Sequence, residues 1–99
     1  MKRQSLSDGQ WFDLDAAEKF EEATWWNGSN QISEATGSQW EHEALYRTKS
    51  KRWVLNAWSQ RQGHGETWEV IDDDSAARWL VKNGEDHPDA AEQIAELEV

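Results

Sequence analysis

Three stretches of the chain alternate with period two, and turn-forming residues separate them. Residues 40–47 set Trp40, His42, Ala44 and Tyr46 against Glu41, Glu43, Leu45 and Arg47. Residues 52–59 place Trp53, Leu55 and Ala57 on one side and Val54, Asn56 and Trp58 on the other. Residues 67–71 place Trp68 and Val70 opposite Thr67, Glu69 and Ile71. The polar links at 48–51 and 60–65 are too short for a crossover, so consecutive strands must run antiparallel. The alternation predicts a three-stranded antiparallel meander, and such a sheet needs a second layer over one face.

Helices are the expected cover. Asp15 followed by Glu18 matches a capping box, and Ala16, Phe20 and Ala23 recur at helical spacing. This predicts a helix over 14–26, stopped by Asn27-Gly28, a pair suited to a left-handed backbone. A second helix is predicted over 74–83. Asp72, Asp73, Asp74 and Ser75 crowd its start, Ala76, Ala77, Leu80 and Val81 form its apolar stripe, and Asn83-Gly84 ends it. Residues 10–12 offer a short N-terminal strand, and 29–39 a polar loop with a brief strand near 31–33. The expected fold is α+β, a two-layer sandwich. Residues 1–84 form its single domain, and 85–99 form an acidic tail that is weakly packed or a short helix.

Aliphatic residues are scarce in this chain of 99 residues, which carries eight tryptophans. A buried aromatic ring removes about 150–250 Å² from water, so a few rings can do the work of many aliphatics. Strand alternation gives Trp40, Trp53 and Trp68 reasons to be core. Trp25 and Trp26 are different. Neighbours on a helix point about 100° apart, so the two rings cannot share the narrow stripe marked by Phe20 and Ala23. At least one is expected at the surface beside the polar segment 27–30. Trp58 and Trp79 raise the same question. Exposed aromatic rings mark contact surfaces, which makes Trp25, Trp26, Trp58 and Trp79 candidate partner-binding residues.

The formal net charge of −10 is unevenly spread. Residues 8–43 and 66–99 are acidic, whereas residues 44–65 hold Arg47, Lys49, Lys51, Arg52 and Arg61 and no carboxylate. Arg47, Lys49, Lys51 and Arg52 surround one turn and complete the set of candidate partner-binding residues. A short basic island in an acidic field is a poor match to a polyanion, so direct nucleic-acid binding is disfavoured. Its cations can instead meet the protein's own carboxylates, those of a second copy in a homodimer, or an acidic patch on another protein.

Catalytic and metal-binding chemistry finds little support. Cysteine is absent, which removes disulfides, thiolate metal sites and cysteine nucleophiles. Glu41-His42-Glu43 begins like a zinc-protease helix, but Tyr46 stands where the second histidine is required. His42, His64 and His87 share no ligand spacing, and no cofactor motif is present. Asp72-Asp73-Asp74 is better explained by helix capping than by a cation site. No run approaches the length of a membrane span, and residues 1–10 lack the apolar core of a signal peptide, so a cytoplasmic location is expected. The leading functional expectation is a small non-catalytic protein–protein binding module that uses exposed Trp and segregated charge. One alternative is an acidic nucleic-acid mimic that inhibits a DNA- or RNA-binding protein. Another is a small enzyme or binder acting on a sugar or nucleotide, with Glu41, His42 and Glu43 as its clustered candidates.

Overall fold

The computed structural model describes residues 1–61, 63 and 65–99. The chain forms strands β1 (Arg3–Ser5), β2 (Trp11–Asp13), β3 (Glu18–Glu21), β4 (Thr24–Trp26), β5 (Gln31–Ser33), β6 (Glu41–Arg47), β7 (Trp53–Ser59) and β8 (Thr67–Ile71). Helices α1 (Asp73–Lys82) and α2 (Ala91–Glu96) follow, with single 3-10 turns at Leu14–Ala16 and Pro88–Ala90. The fold is an α+β sandwich. Its main sheet has four antiparallel strands in the order β3-β6-β7-β8. The meander expected from the alternation is present as β6, β7 and β8, with Leu45 opposite Leu55 and Leu55 opposite Glu69. The turn expected at 60–65 includes residues 62 and 64, so His64 lies outside the described residues.

The segment 14–26 is not a helix. Asp13 accepts a hydrogen bond from the Asp15 N–H and caps only one 3-10 turn. The chain then extends as β3, with Phe20 opposite Leu45. As a strand, this segment pairs its backbone with β6 and puts the Phe20 ring 6.1 Å from Trp53 and 5.6 Å from His87. Lys19, pointing the other way, reaches over the Tyr46 ring. Tertiary pairing thus overrides a local helical pattern. The expected stop at Asn27-Gly28 is a hairpin turn. Residues 27–30 link β4 to β5, and Gly28 sits at φ 103 just inside the tip that the Asn27 N–H closes on the Asn30 carbonyl, a position that takes positive φ in primed hairpin turns.

Losing that helix leaves the second sheet face to the N-terminus. The β1–β2 hairpin lays Leu6 and Phe12 against Ala44, Tyr46 and Val54, and Trp68 joins them with its ring 5.8 Å from Phe12. The Ser7 N–H donates to the Trp68 carbonyl, fixing this hairpin to β8. On the opposite face Leu45, Trp53, Ala76, Trp79, Leu80 and Ala90 form the helix-side core. Because layers cover both faces of β6, three successive residues, Ala44, Leu45 and Tyr46, are buried.

Helix α1 starts as expected, with the Asp72 carboxylate accepting from the Ser75 N–H at 2.8 Å. At its end Asn83 is buried. Its Nδ2 donates to the Trp79 carbonyl, and its Oδ1 accepts from the Ala23 N–H, tying the helix to the β3–β4 link. The acidic tail contains the short helix α2, but its first half is firmly packed. Ala90 enters the helix-side core, and His87 lies edge-on between Phe20 and Trp53. Among the described residues, no helix is long and apolar enough to cross a membrane.

Candidate functional site

The β4–β5 hairpin stands apart from the main sheet. Its strands pair only with each other among the described residues, with Trp25 opposite Ile32 and Trp26 opposite Gln31. Its tip is stiffened by Asn27, whose Oδ1 accepts from the Ser29 and Asn30 N–H groups. Its base is anchored by buried Ile32 and Ser33 and by the Glu34 N–H, which donates to the Ala23 carbonyl. The rings of Trp25 and Trp26 are 49% and 61% exposed. A strand sends successive side chains to opposite faces, so the hairpin presents a ring on each face.

A second feature lies where β3 gives way to β4. The register would next place Glu22 opposite Glu43, but the Glu22 carboxylate, rather than its backbone, accepts from the Glu43 N–H at 2.9 Å. The same Glu22 oxygen lies 3.1 Å from His42 Nδ1, and the His42 ring stacks on Trp58 at 5.7 Å. In the neutral tautomer with its proton on Nδ1 toward the carboxylate, Nε2 is the acceptor. That Nε2 is buried and has no hydrogen-bond partner among the described residues. On the other face of β6, Glu43 accepts from the Trp79 indole N–H at 3.0 Å. Burial raises the Glu43 carboxyl above its ordinary range. The Trp79 hydrogen bond opposes that shift, and the neighbouring Glu22 charge adds to it.

His42, Glu43 and Trp58 line a shallow depression of about 400 Å³ together with Thr36 and Ser59. Among the described residues, no hydroxyl or amine is hydrogen-bonded to Nε2. The cluster is therefore a positioned imidazole without the nucleophile of a triad. Nor, among the described residues, do three or more His, Asp or Glu side chains converge as a metal site.

The basic turn is partly neutralised by the protein itself. Arg47 lies over the Trp53 ring at 4.4 Å, and its Nε is 3.1 Å from Asp89. Lys51, held at φ 67, approaches the same carboxylate at 3.9 Å. Lys49 and Arg52 are exposed. The eight candidate residues thus divide. Trp25 and Trp26 are together at the surface. Trp58 is half-buried against His42. Trp79 is only 7% exposed, because it faces the sheet beside Leu80 and Ala76, and its ring is not offered to a partner. Arg47 is turned inward.

Trp53 is core and Trp68 is half-buried, but Trp40 is 41% exposed. It precedes β6 and lies beyond the end that the N-terminal hairpin covers. The contribution of Glu22 was not visible in the sequence, where it falls on the polar side of an expected helix. No family model matches this sequence, and no curated protein or solved structure compared with it matches either.

Proposed function

We propose that this protein is a small non-catalytic protein-binding module whose contact surface is the β4–β5 hairpin, with Trp25 and Trp26 as anchors. The observation that carries this reading is the pair of adjacent, largely exposed indoles on a hairpin outside the main sheet. Tryptophan is prominent among residues that dominate binding energy, and two rings held on a stiff strand lose little entropy on contact. The outer edge of β4 also has no neighbouring strand among the described residues, so its backbone can pair with an added one.

The partner's chemistry follows from the surroundings. Residues 20–46 contain no lysine or arginine, and Lys82 and Arg61, which reach this segment, are engaged by the Ala35 carbonyl and the Glu41 carboxylate, so a phosphate backbone is a poor match for the rings. Glu21, Glu22 and Glu34 flank the hairpin instead. These features favour an extended protein segment with two adjacent apolar side chains, one for each face of the hairpin, and basic residues at its ends. The reading belongs with a cytoplasmic protein. Selection of binders from a displayed library of extended peptides tests it. The selected peptides are expected to lose at least about ten-fold in affinity for Trp26→Ala, as for a residue at a binding hot spot. Peptides that bind the Trp25→Ala/Trp26→Ala protein as tightly as the parent would overturn the assignment.

A further inference from the structure

A separate cleft lies beside the β5 strand, where the chain enters β6 and leaves β7. It has a volume of about 270 Å³ and is lined by Asn30, Gln31, Gln39, Trp40, His42 and Gln60. In a chain with 20 carboxylates and 10 lysines and arginines, this lining holds no Asp, Glu, Lys or Arg. It consists of one exposed indole, one imidazole and four primary amides. We propose that this cleft binds a neutral sugar ring, with Trp40 as its stacking platform.

The amides are unengaged. Among the described residues, no side-chain hydrogen bond occupies Asn30, Gln31, Gln39 or Gln60. Each carboxamide offers two donors and an acceptor, whereas a carboxylate only accepts and an ammonium only donates. Sugar hydroxyls both donate and accept, so neighbouring hydroxyls on a ring complement carboxamides. The flat C–H face of a pyranose complements an indole face.

The backbone holds this arrangement in place. The Trp40 N–H donates to Ser38 Oγ at 2.9 Å, and the Trp40 carbonyl accepts from the Gln60 N–H at 2.9 Å. The Asn30 N–H is held by Asn27 Oδ1 at 2.8 Å, and Glu22 holds the His42 ring at 3.1 Å. A site fixed before binding loses less entropy when it is filled. The volume lies just under the roughly 300–1,000 Å³ of drug-sized pockets, which suits one sugar ring. A nucleotide fits less well, because among the described residues no lysine or arginine lines the cleft to meet its phosphate. The site does not depend on the role proposed for Trp25 and Trp26.

Amide-detected NMR titration of the full chain with maltotriose, cellotriose, mannotriose and triacetylchitotriose, and with adenosine as the base probe, tests the proposal. At least one glycan is expected to shift the Trp40 indole signal and the four side-chain amides saturably, with a dissociation constant of about 1 mM or lower. Trp40→Ala is expected to weaken binding at least about ten-fold, a loss of one order in the equilibrium constant. Trp11→Ala, at an exposed tryptophan beside Thr48 and Lys49 at the other end of the β6–β7 pair, is expected to leave it unchanged, which separates this site from non-specific contact with surface indoles. If Trp40→Ala does not fold, the Gln31→Ala/Gln60→Ala variant, altered only at exposed positions, decides the question by the same loss. No saturable shift with any glycan, glycan binding that survives these substitutions, or a response to adenosine alone would each overturn the proposal.

Discussion

Trp53 on β7 and Trp26 on β4 both sit on antiparallel strands, yet the first is 1% exposed and the second 61%. The difference lies in what surrounds each strand. β7 has a strand on both sides, helices over one face and the N-terminal hairpin over the other. β4 has one neighbour and pairs with nothing else among the described residues. Alternation marks which residues share a face, but whether a face is buried depends on a layer that another part of the chain must supply. The tryptophans therefore serve two ends. Trp53 and Trp79 build the core, while Trp11, Trp25, Trp26 and Trp40 remain at the surface.

The sharpest way to break this comparison is to truncate one ring from each group. Trp53→Ala removes a core ring and is expected to cost about 3–5 kcal/mol. That is a large share of the roughly 5–15 kcal/mol that holds a small domain together. Trp26→Ala is expected to change stability by no more than about 0.5 kcal/mol. Urea unfolding followed by far-ultraviolet circular dichroism measures both, and equal losses would remove the distinction.

Glu43 sharpens the comparison at the core's margin. Glu43→Leu leaves the Trp79 indole N–H without its acceptor and is expected to cost about 1–3 kcal/mol. Glu43→Gln keeps an oxygen acceptor and removes the charge that burial disfavours. It is expected to be as stable as the parent at neutral pH, or more so. The folded carboxyl titrates above its ordinary value of 4.5, so between the unfolded and folded values the native state binds more protons. The parent's contribution from Glu43 therefore falls as pH rises through that window, and Glu43→Gln should flatten this dependence. Urea midpoints measured across the window check the sign.

A smaller loss than at Trp53 is expected at Asp72. Hydrogen bonds from Ser75 hold its carboxyl below the ordinary 3.8. Its cap contribution is present above the unfolded value and is lost as pH falls through the lower folded one. Asp72→Ala should lower Tm slightly at neutral pH and make no difference in strong acid, as thermal scans at the two pH values would show.

The strands β6, β7 and β8 and helix α1 were legible because each carries its own signal. The strands have period two between polar turns, and α1 has an acidic cap, an apolar stripe and a glycine stop. The segment 14–26 misled because its signals serve two structures. The Asp15–Glu18 capping box does not form: Asp13 caps a single 3-10 turn that contains Asp15, and Glu18 opens β3. Asn27-Gly28 supplies positive φ to a hairpin as readily as to a helix end. Phe20 settles the matter through contacts with Trp53 and His87, more than thirty residues away in sequence. The pairing of Glu22 with His42 was hidden for the same reason, since it depends on the β3–β6 register. The exposure of Trp25 and Trp26 was partly legible, since adjacent rings seldom share one buried face, though the hairpin that displays them was not.

The division of the tryptophans can be tested most directly on their indole N–H signals. Each can be assigned by a Trp→Phe variant and exposed to a soluble paramagnetic probe. Strong broadening is expected for Trp25 and Trp26, with Trp53 and Trp79 protected. If Trp25 and Trp26 were as protected as Trp53, the hairpin would be packed against the body of the protein and the account would be contradicted.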